Sequence, residues 1–331
     1  MTEKFKALVL DQQDSKTTSQ VRDIEIASLS PGDVTIAVEY SSLNYKDGLA
    51  VTGTGKIIRQ FPAIPGIDLA GTVKESASAA YQRGDRVVVT GWGIGERYSG
   101  GYAQMARVKS DWLVKLPDGL TTKQAMGAGT AGFTAMLCVM ALEHEGAKPG
   151  DGEIVVTGAA GGVGSIAVAV LAKLGYKVVA STGRPETHDY LRELGASDFL
   201  DRSVLAESSK KPFEAERWAG AVDSVGGSTL ANLIKTMRYG SSIAACGLAG
   251  GTDLSTTVFP FILRAVNLLG VDSVQCKQPK RQEAWHRLAV DLAADKLERI
   301  VRVISLAEVE RYSREILAGK VQGRTVVDVN A

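Results

Sequence analysis

The chain of 331 residues is long enough for two domains and for a buried core that needs no disulfide support. Its 38 Lys and Arg against 37 Asp and Glu give a net charge of +1, which indicates neither a nucleic acid nor a membrane surface as partner. The three Cys and three His are scattered along the chain, which favours a reducing cytoplasm and argues against a metal site made of closely spaced ligands.

The first 125 residues predict a mainly β unit. Short strand-like runs, such as Val34–Val38 and Arg86–Val89, are separated by Pro and Gly turns. No long helical period interrupts them, and the pattern changes near residue 125.

Two uncharged stretches of 19 residues each, Gln124–Leu142 and Ile154–Ala172, approach the length of a membrane span. Both contain several glycines together with Thr or Ser, and four glycines interrupt the second stretch. We therefore expect both to be buried elements of a soluble domain, with no membrane as partner.

From residue 153 onward, strand-like and helix-like patterns alternate. Because parallel strands need crossover helices, this order predicts a doubly wound α/β domain. The predicted strands are Glu153–Thr157, Lys177–Ser181, Phe199–Asp201, Ala221–Val225, Ser242–Ala245 and Val266–Val274. The predicted helices are Gly164–Leu174, Glu186–Leu194, Thr229–Met237 and Gln282–Leu297. A last strand, Thr325–Val329, follows no crossover pattern and is expected to rejoin the first domain.

A glycine-rich turn, Thr157–Gly164 (TGAAGGVG), lies where the first of these strands meets the first helix. The spacing of Gly158, Gly161 and Gly164 allows a tight turn, a close backbone approach to a pyrophosphate, and close packing of the helix on the strand. The helix N-terminus adds unpaired N–H groups for the phosphates. A glycine-rich turn alone is weak evidence, but in this strand–turn–helix context it predicts dinucleotide binding.

The end of the second strand indicates which dinucleotide binds. Proteins that select NAD usually have Asp or Glu there, to bind the ribose hydroxyls. This chain has Ser181, Thr182, Gly183 and Arg184 instead. Two hydroxyls and a guanidinium suit a 2′-phosphate, so NADP(H) is the predicted cofactor. Arg202, after the third strand, is a further candidate at the adenosine end, with an exposed surface arginine as the alternative.

Four motifs carry a family resemblance: Ser42–Asp47 (SLNYKD), Pro65–Gly71 (PGIDLAG), Gly84–Val87 (GDRV) and Gly129–Ala135 (GTAGFTA). In order and spacing they resemble the quinone-reductase branch of the medium-chain dehydrogenase/reductases, over the whole chain. The resemblance implies a GroES-like, mainly β catalytic domain (residues 1–125 and 300–331) around a doubly wound Rossmann domain (residues 126–299). It also implies a homodimer, joined through the edge of the Rossmann sheet.

The resemblance also indicates whether this chain has the ligands for a zinc ion. Zinc-containing relatives have Cys where Asn44 or its neighbours stand, and Gly-His-Glu where this chain has Gly66, Ile67 and Asp68. The four-Cys structural zinc lobe is missing as well. We therefore expect no metal, and a site that suits an activated double bond better than an alcohol.

Further motifs, Thr90–Gly93 (TGWG), Ala244–Gly250 (AACGLAG) and Gly270–Ser273 (GVDS), resemble members of this branch that reduce a CoA thioester. The resemblance implies NADPH-dependent reduction of acrylyl-CoA to propionyl-CoA, a cytoplasmic step in the breakdown of acrylate or dimethylsulfoniopropionate. The acyl group rests on this resemblance alone. The cofactor contacts that it implies are Tyr45, Ala160, Gly161, Gly162, Val163, Thr182, Gly183, Arg184, Arg202, Leu248, Ile262 and Ser273.

Asn44, Tyr45 and Asp47 are the candidate catalytic residues. Hydride addition to the β-carbon of an enoyl thioester moves negative charge to the thioester oxygen, which then needs oriented donors. Tyr45 could donate a hydrogen bond or proton, or stack on the nicotinamide; a tyrosine pKa of about 10 favours stacking. Asp47 is expected to cap or orient its neighbours. The proton source stays open, with bound water as a candidate, because Gly55 stands where related mitochondrial reductases have a proton-donating tyrosine.

Lys46, Lys56, Arg59 and Arg97 are candidate contacts for the CoA phosphates, with solvated surface charges as the alternative. Two other functions stay open. One is an NADPH:quinone oxidoreductase of the same fold. The other is a protein that holds NADPH without turnover, as lens crystallins of this superfamily do.

Overall fold

A computed structural model describes residues 3–206 and 211–331 of the chain. These residues form two compact units. Unit 1 comprises the chain up to Thr130 together with Ser273–Ala289 and Leu297–Ala331. Unit 2 comprises Ala131–Asp272 and Val290–Lys296. The domain boundaries expected from the sequence, at residues 125 and 300, stay a prediction.

Strands and helices were numbered in chain order. The strands are β1 Lys4–Gln13, β2 Lys16–Glu25, β3 Val34–Leu43, β4 Asp68–Ser76, β5 Arg86–Thr90, β6 Met105–Val108, β7 Val114–Lys115, β8 Glu153–Val156, β9 Lys177–Thr182, β10 Asp198–Asp201, β11 Trp218–Asp223, β12 Met237–Ala245, β13 Asn267–Gly270, β14 Val301–Ser305 and β15 Arg324–Asp328. The helices are α1 Tyr45–Thr52, α2 Thr122–His144, α3 Gly162–Lys173, α4 His188–Leu194, α5 Ser203–Ala206, α6 Gly227–Lys235, α7 Phe259–Arg264, α8 Gln278–Asp291, α9 Ala294–Ile300 and α10 Val309–Leu317.

Unit 1 is built on a mainly antiparallel sheet of order β14-β15-β3-β4-β5-β7, with β6 paired to β3 and a separate β1–β2 hairpin. Alternating side chains of the central strands are buried, as in Val34, Ile36 and Val38 of β3. The last strand, β15, pairs antiparallel with β3. The expected return of the final strand to the first part of the chain is therefore confirmed.

Unit 2 contains a six-stranded sheet of order β10-β9-β8-β11-β12-β13, and every neighbouring pair is parallel. Helix α3 packs on β8 and β9, and α6 and α7 pack on β12. The strand order reverses between β8 and β11, which is where doubly wound folds bind dinucleotides, outside the carboxyl ends of the strands. The predicted α/β fold class is confirmed, with a mainly antiparallel sheet in unit 1 and a doubly wound parallel sheet in unit 2.

Two predicted elements differ from the structure. The single helix expected over Gln282–Leu297 is two helices, α8 and α9. One apolar pattern spans both, because Leu288 in α8, Leu292 in the break and Leu297 in α9 are all buried. The strand expected over Val266–Val274 is limited to β13. Beyond β13 the chain leaves the sheet. There the carbonyls of Ser273 and Val274 accept hydrogen bonds from the buried side chain of Arg281.

Among the described residues, one helix, α2, is long and apolar enough to cross a membrane. Its most apolar stretch is 89% buried inside the protein, and Gly129 interrupts the helix with φ 54° and ψ −158°. The second uncharged stretch divides into β8, the glycine turn and α3. Both stretches are therefore buried elements, as expected.

Close packing between β3 and β4 makes Gly71 sensitive to substitution. A Cβ at Gly71 would lie 2.1 Å from the Ala37 carbonyl oxygen, which cannot move without separating the two strands. We expect Gly71→Ala to lower the free energy of unfolding by about 3 kcal/mol, measured by urea unfolding. Gly270→Ala is the matched control, because nothing lies within 4 Å of the added carbon. Equal losses in the two variants would contradict this packing.

Candidate functional site

The three candidate catalytic residues lie in the first turn of α1, in unit 1. Asn44 is the N-cap, and Asp47 completes a capping box by accepting the Asn44 backbone N–H on Oδ2 at 2.9 Å. Tyr45 is the first helical residue, and 46% of it is exposed. The capping role expected of Asp47 is confirmed, and Tyr45 is the member of the three that faces outward.

A buried carboxylate, Asp68, organises the polar groups behind this turn. Its Oδ2 accepts hydrogen bonds from Ser42 Oγ at 2.5 Å, from Asn44 Nδ2 at 2.8 Å and from the Thr130 amide at 2.8 Å. Its Oδ1 accepts the Thr130 hydroxyl. These donors come from β3, from the start of α1 and from α2, so one carboxylate fixes three segments of unit 1.

Arg324, at the start of β15, brings the positive charge to this cluster. Its guanidinium donates to Ser42 Oγ at 2.8 Å and to Asn44 Oδ1 at 3.1 Å, and lies 3.9 Å from Asp68 Oδ2. The side chains of Arg324 and Asp68 are both buried. The side-chain oxygen of Asn44 therefore accepts a hydrogen bond from Arg324, and its side-chain nitrogen donates to the carboxylates of Asp47 and Asp68.

The cluster holds two carboxylates for one guanidinium. Burial raises the pKa of Asp47 to about 7, and the neighbouring charge of Asp68 adds to this rise. Hydrogen bonds from Asn44 and from the Ile67 amide, at 3.0 Å, act in the opposite direction. Burial and the same two carboxylates also raise the pKa of Tyr102, whose hydroxyl donates to the Ser42 carbonyl at 3.2 Å.

The positions that the family resemblance links to zinc do not fit that metal. Ile67 offers no ligand atom, and the side chains of Asn44 and Asp68 are engaged with each other and with their neighbours. Among residues 3–206 and 211–331, no three His, Cys, Asp or Glu side chains are grouped to hold a metal ion. The expectation of a metal-free site stays a prediction.

In unit 2, the glycine turn packs closely against the start of α3. Gly158 has φ +60°, and a Cβ at Gly164 would lie 2.3 Å from the Gly158 carbonyl oxygen, so the turn and the helix pack without side chains. A Cβ at Gly161 would meet only that same oxygen, at 3.3 Å, which leaves the approach to the start of α3 open. The first N–H groups of a helix have no partner within it, so those of α3 suit a pyrophosphate.

The residues predicted to bind the 2′-phosphate lie together at the end of β9. The Arg184 amide donates to Thr182 Oγ1 at 3.1 Å, and its Nη2 lies 3.4 Å from the Ala160 carbonyl oxygen. The Arg202 side chain covers Gly183, where an added Cβ would lie 2.4 Å from Nε. Ala160, Thr182, Gly183, Arg184 and Arg202 thus lie together beside the glycine turn, with Ala160 and Thr182 buried.

Leu248 and Ile262 lie elsewhere in unit 2, in the loop after β12 and in α7, with 62% and 68% of each residue exposed. Ser273 belongs to unit 1. Its carbonyl accepts a hydrogen bond from Arg281 Nη2 at 3.0 Å, and Arg281 also donates to the Thr90 carbonyl at 2.8 Å. Arg281 is therefore the residue that fixes the Ser273 segment.

The basic residues proposed for the CoA phosphates differ in their surroundings. Lys46 Nζ forms an ion pair with Glu96 Oε1 at 2.9 Å, which neutralises part of its charge. Lys56, Arg59 and Arg97 are exposed. These three are the better candidates for an anionic ligand.

Sequence reasoning missed the roles of Asp68, Thr130 and Arg324 in unit 1, and of Asp223 in unit 2. The acids did leave a signal, because Asp68 begins β4 directly before the apolar Leu69, and Asp223 ends β11 directly after the apolar Val222. A buried acid in a strand requires donors, and such donors mark an organised polar site. Thr130 and Arg324 left no comparable signal, since each is distant in sequence from its partners.

Two family profiles match the chain. Residues 30–118 match the profile described as an alcohol dehydrogenase GroES-like domain, and residues 162–294 match the profile described as a zinc-binding dehydrogenase. The first range lies in unit 1. Most of the second range lies in unit 2, and its segment Ser273–Ala289 belongs to unit 1.

Known relatives cover the whole chain. It is 55% identical over 329 residues to acrylyl-CoA reductase AcuI of Ruegeria pomeroyi. The match covers 99% of this chain and 100% of that protein. The structure is similar to that of the yhdH oxidoreductase of Salmonella enterica in complex with NADP, with a TM-score of 0.96, 55% identity and coverage of 98% and 99%. It is also similar to Bacillus subtilis yhfP with NAD bound, with a TM-score of 0.96, 45% identity and coverage of 99% and 100%; that protein is named a putative quinone oxidoreductase.

The raised pKa of Asp47 predicts a pH dependence of stability. Because the native state keeps this proton up to about pH 7 while the unfolded chain loses it near its ordinary pKa of 3.8, the contribution of Asp47 to stability falls between those values. Asp47→Asn removes the titration. We expect the free energy of unfolding of the wild type, minus that of the variant, to decrease by up to about 4 kcal/mol from pH 4 to pH 8. Urea unfolding at several pH values measures it, and a constant difference would contradict the buried proton.

Proposed function

The chain belongs to the medium-chain dehydrogenase/reductase family, and we propose that it uses NADPH to reduce the activated C=C bond of acrylyl-CoA, giving propionyl-CoA. The observation that carries the proposal is the 55% identity to an acrylyl-CoA reductase over 99% of the chain. The residues at the end of β9 add independent support for the cofactor.

Selection of NADPH follows from the surface at the adenosine end. Thr182, Gly183 and Arg184 replace the acid that would bind a ribose 2′-hydroxyl and repel a 2′-phosphate. The Arg202 guanidinium lies over Gly183 and provides a second cation for that phosphate. The yhdH relative with NADP and the yhfP relative with NAD share this fold, so the fold alone does not select the cofactor.

The reaction transfers a hydride to the β-carbon of the acrylyl group and a proton to the α-carbon. NADPH supplies the hydride when it is bound. We propose that no metal takes part, so the negative charge on the thioester oxygen is stabilised by hydrogen-bond donors. The proton comes from Tyr45 or from a bound water molecule.

Of the three candidate catalytic residues, Tyr45 is the one whose exposed side chain can touch the ligands. Asn44 and Asp47 are buried, and their side chains form hydrogen bonds with neighbouring residues. We therefore assign them a positioning role: they cap α1 and fix Tyr45. The exposed Tyr45 ring and hydroxyl then contact the cofactor. The cations Lys56, Arg59 and Arg97 provide charge for the phosphates of CoA.

The remaining elements of the proposal are a homodimer in the cytoplasm that binds no nucleic acid or membrane and acts in the breakdown of acrylate or dimethylsulfoniopropionate. The nearly neutral net charge supports the absence of polyanionic partners. The dimer is supported by β13, an edge strand of the parallel sheet, and by the exposed side chains of Phe259, Ile262 and Leu263 in α7.

A second candidate is an NADPH:quinone oxidoreductase, since the Bacillus subtilis relative that is 45% identical carries the name of a putative quinone oxidoreductase. The oxidation of NADPH with acrylyl-CoA, crotonyl-CoA and 1,4-benzoquinone separates the candidates. We expect kcat/KM for acrylyl-CoA to exceed that for the quinone by at least about tenfold. Preference for the quinone would overturn the acyl-CoA assignment. Binding of NADPH without turnover of any acceptor would favour the non-catalytic class.

Tyr45→Phe tests the role of the exposed tyrosine. Because its hydroxyl is proposed to position the cofactor, we expect the Kd for NADPH to rise about fivefold while the single-turnover rate stays within about twofold. Fluorescence titration and stopped-flow absorbance measure the two quantities. Tyr239→Phe, at an exposed tyrosine in unit 2, is the matched control. A large loss of single-turnover rate with unchanged affinity would instead identify Tyr45 as the proton donor.

A further inference from the structure

Asp223, the last residue of β11, carries a completely buried side chain. Its strand lies between β8 and β12 in the parallel sheet, so Asp223 stands at the carboxyl edge, next to the end of β8. A carboxylate in this place is costly unless its oxygens accept hydrogen bonds.

Two donors from different segments satisfy this carboxylate. The Thr157 hydroxyl donates to Oδ1 at 2.6 Å, and the Gly226 amide donates to Oδ2 at 2.8 Å. Burial raises the pKa of Asp223, whereas these hydrogen bonds lower it and favour the anion. The side chain therefore acts as an acceptor on both oxygens.

Thr157 links this carboxylate to the glycine turn. Its Oγ1 accepts the Ser224 amide at 3.1 Å, and its carbonyl accepts the Ser224 hydroxyl at 3.0 Å. Gly158, the next residue, has φ +60°, and a Cβ there would lie 2.6 Å from Ser224 Oγ. The first residue of the turn is thus held against the end of β11.

The backbone around Asp223 also holds the loop that follows β12. The Cys246 amide donates to the Asp223 carbonyl at 2.9 Å, and the Gly250 amide donates to the Val225 carbonyl at 2.7 Å. Leu248, a proposed cofactor contact, lies in this loop. One short segment therefore anchors both the phosphate turn and the loop after β12.

We propose that Asp223 is a positioning residue for NADPH, which acts through Thr157 to hold the glycine turn in the conformation that receives the pyrophosphate. This inference rests on the proposed use of NADPH. An asparagine of the same size has only one acceptor oxygen, so Asp223→Asn leaves either the Thr157 hydroxyl or the Gly226 amide without its acceptor.

The test compares binding of the whole cofactor with binding of its adenosine end. The variants are Asp223→Asn and Thr157→Val, which break the link, and Thr157→Ser, which keeps the hydroxyl. Fluorescence titration gives the Kd for NADPH, and calorimetry gives the Kd for 2′-AMP, which lacks the pyrophosphate. We expect the first two variants to raise the Kd for NADPH about tenfold and to leave that for 2′-AMP within about twofold. Thr157→Ser should keep most of the wild-type affinity for NADPH, because it keeps the hydroxyl.

Two further variants serve as controls. Thr236→Val removes a threonine hydroxyl that donates to the Leu233 carbonyl at 2.9 Å, just before β12, and should leave both Kd values unchanged. Arg202→Met should weaken both NADPH and 2′-AMP. In steady-state kinetics with acrylyl-CoA, Thr157→Val should raise the KM for NADPH while kcat at saturating NADPH stays within about threefold.

Three results would overturn the inference: unchanged NADPH affinity in Asp223→Asn and Thr157→Val, equal weakening of NADPH and 2′-AMP, or an effect of Thr236→Val as large as that of Thr157→Val. In each of these cases the wild type still binds NADPH, so the proposed function stands. A wild type that fails to bind NADPH would overturn both.

Discussion

A buried carboxylate is stable only when its oxygens are supplied with donors, and this constraint shapes the polar site of each unit. In unit 1, Asp68 draws Ser42, Asn44 and Thr130 to one point. In unit 2, Asp223 has the same effect on Thr157 and on the amide at position 226. In the proposed function, Asp68 and Asp223 contact no ligand, but their hydrogen bonds position the segments that do. Their positions at strand ends let a rigid sheet determine the geometry of flexible turns.

The parallel sheet of unit 2 could be predicted from sequence because its order is local. The central strands contain short apolar runs, most helices follow their strand within a few residues, and the glycine turn marks the first crossover. The proposed adenosine end has the same local character, since Thr182, Gly183 and Arg184 follow β9 directly. Arg202 was a candidate from the sequence, with an exposed surface arginine as the alternative, and the fold brings its side chain over Gly183.

The cluster in unit 1 could not be predicted from sequence, for a physical reason. Asn44 and Asp68 are 24 residues apart, and Arg324 is 280 residues from Asn44. No periodicity connects residues at such distances; sheet pairing alone brings them together. For this reason, the sequence alone suggested a different role for the Asn44 side chain from the one that the structure shows. An amide beside a tyrosine suggests a donor for substrate, whereas the folded amide is fully engaged by Asp68 and Arg324.

The late position of Arg324 also affects synthesis of the chain on the ribosome. All strands of the parallel sheet have emerged once β13 is complete, so that sheet can form early and from nearby segments. The β3–β15 pairing and the guanidinium that balances Asp68 become available only once β15 has emerged. Until then, the segments around Asn44 carry two acidic groups without their cation. Unit 1 is therefore completed later in synthesis than the parallel sheet of unit 2.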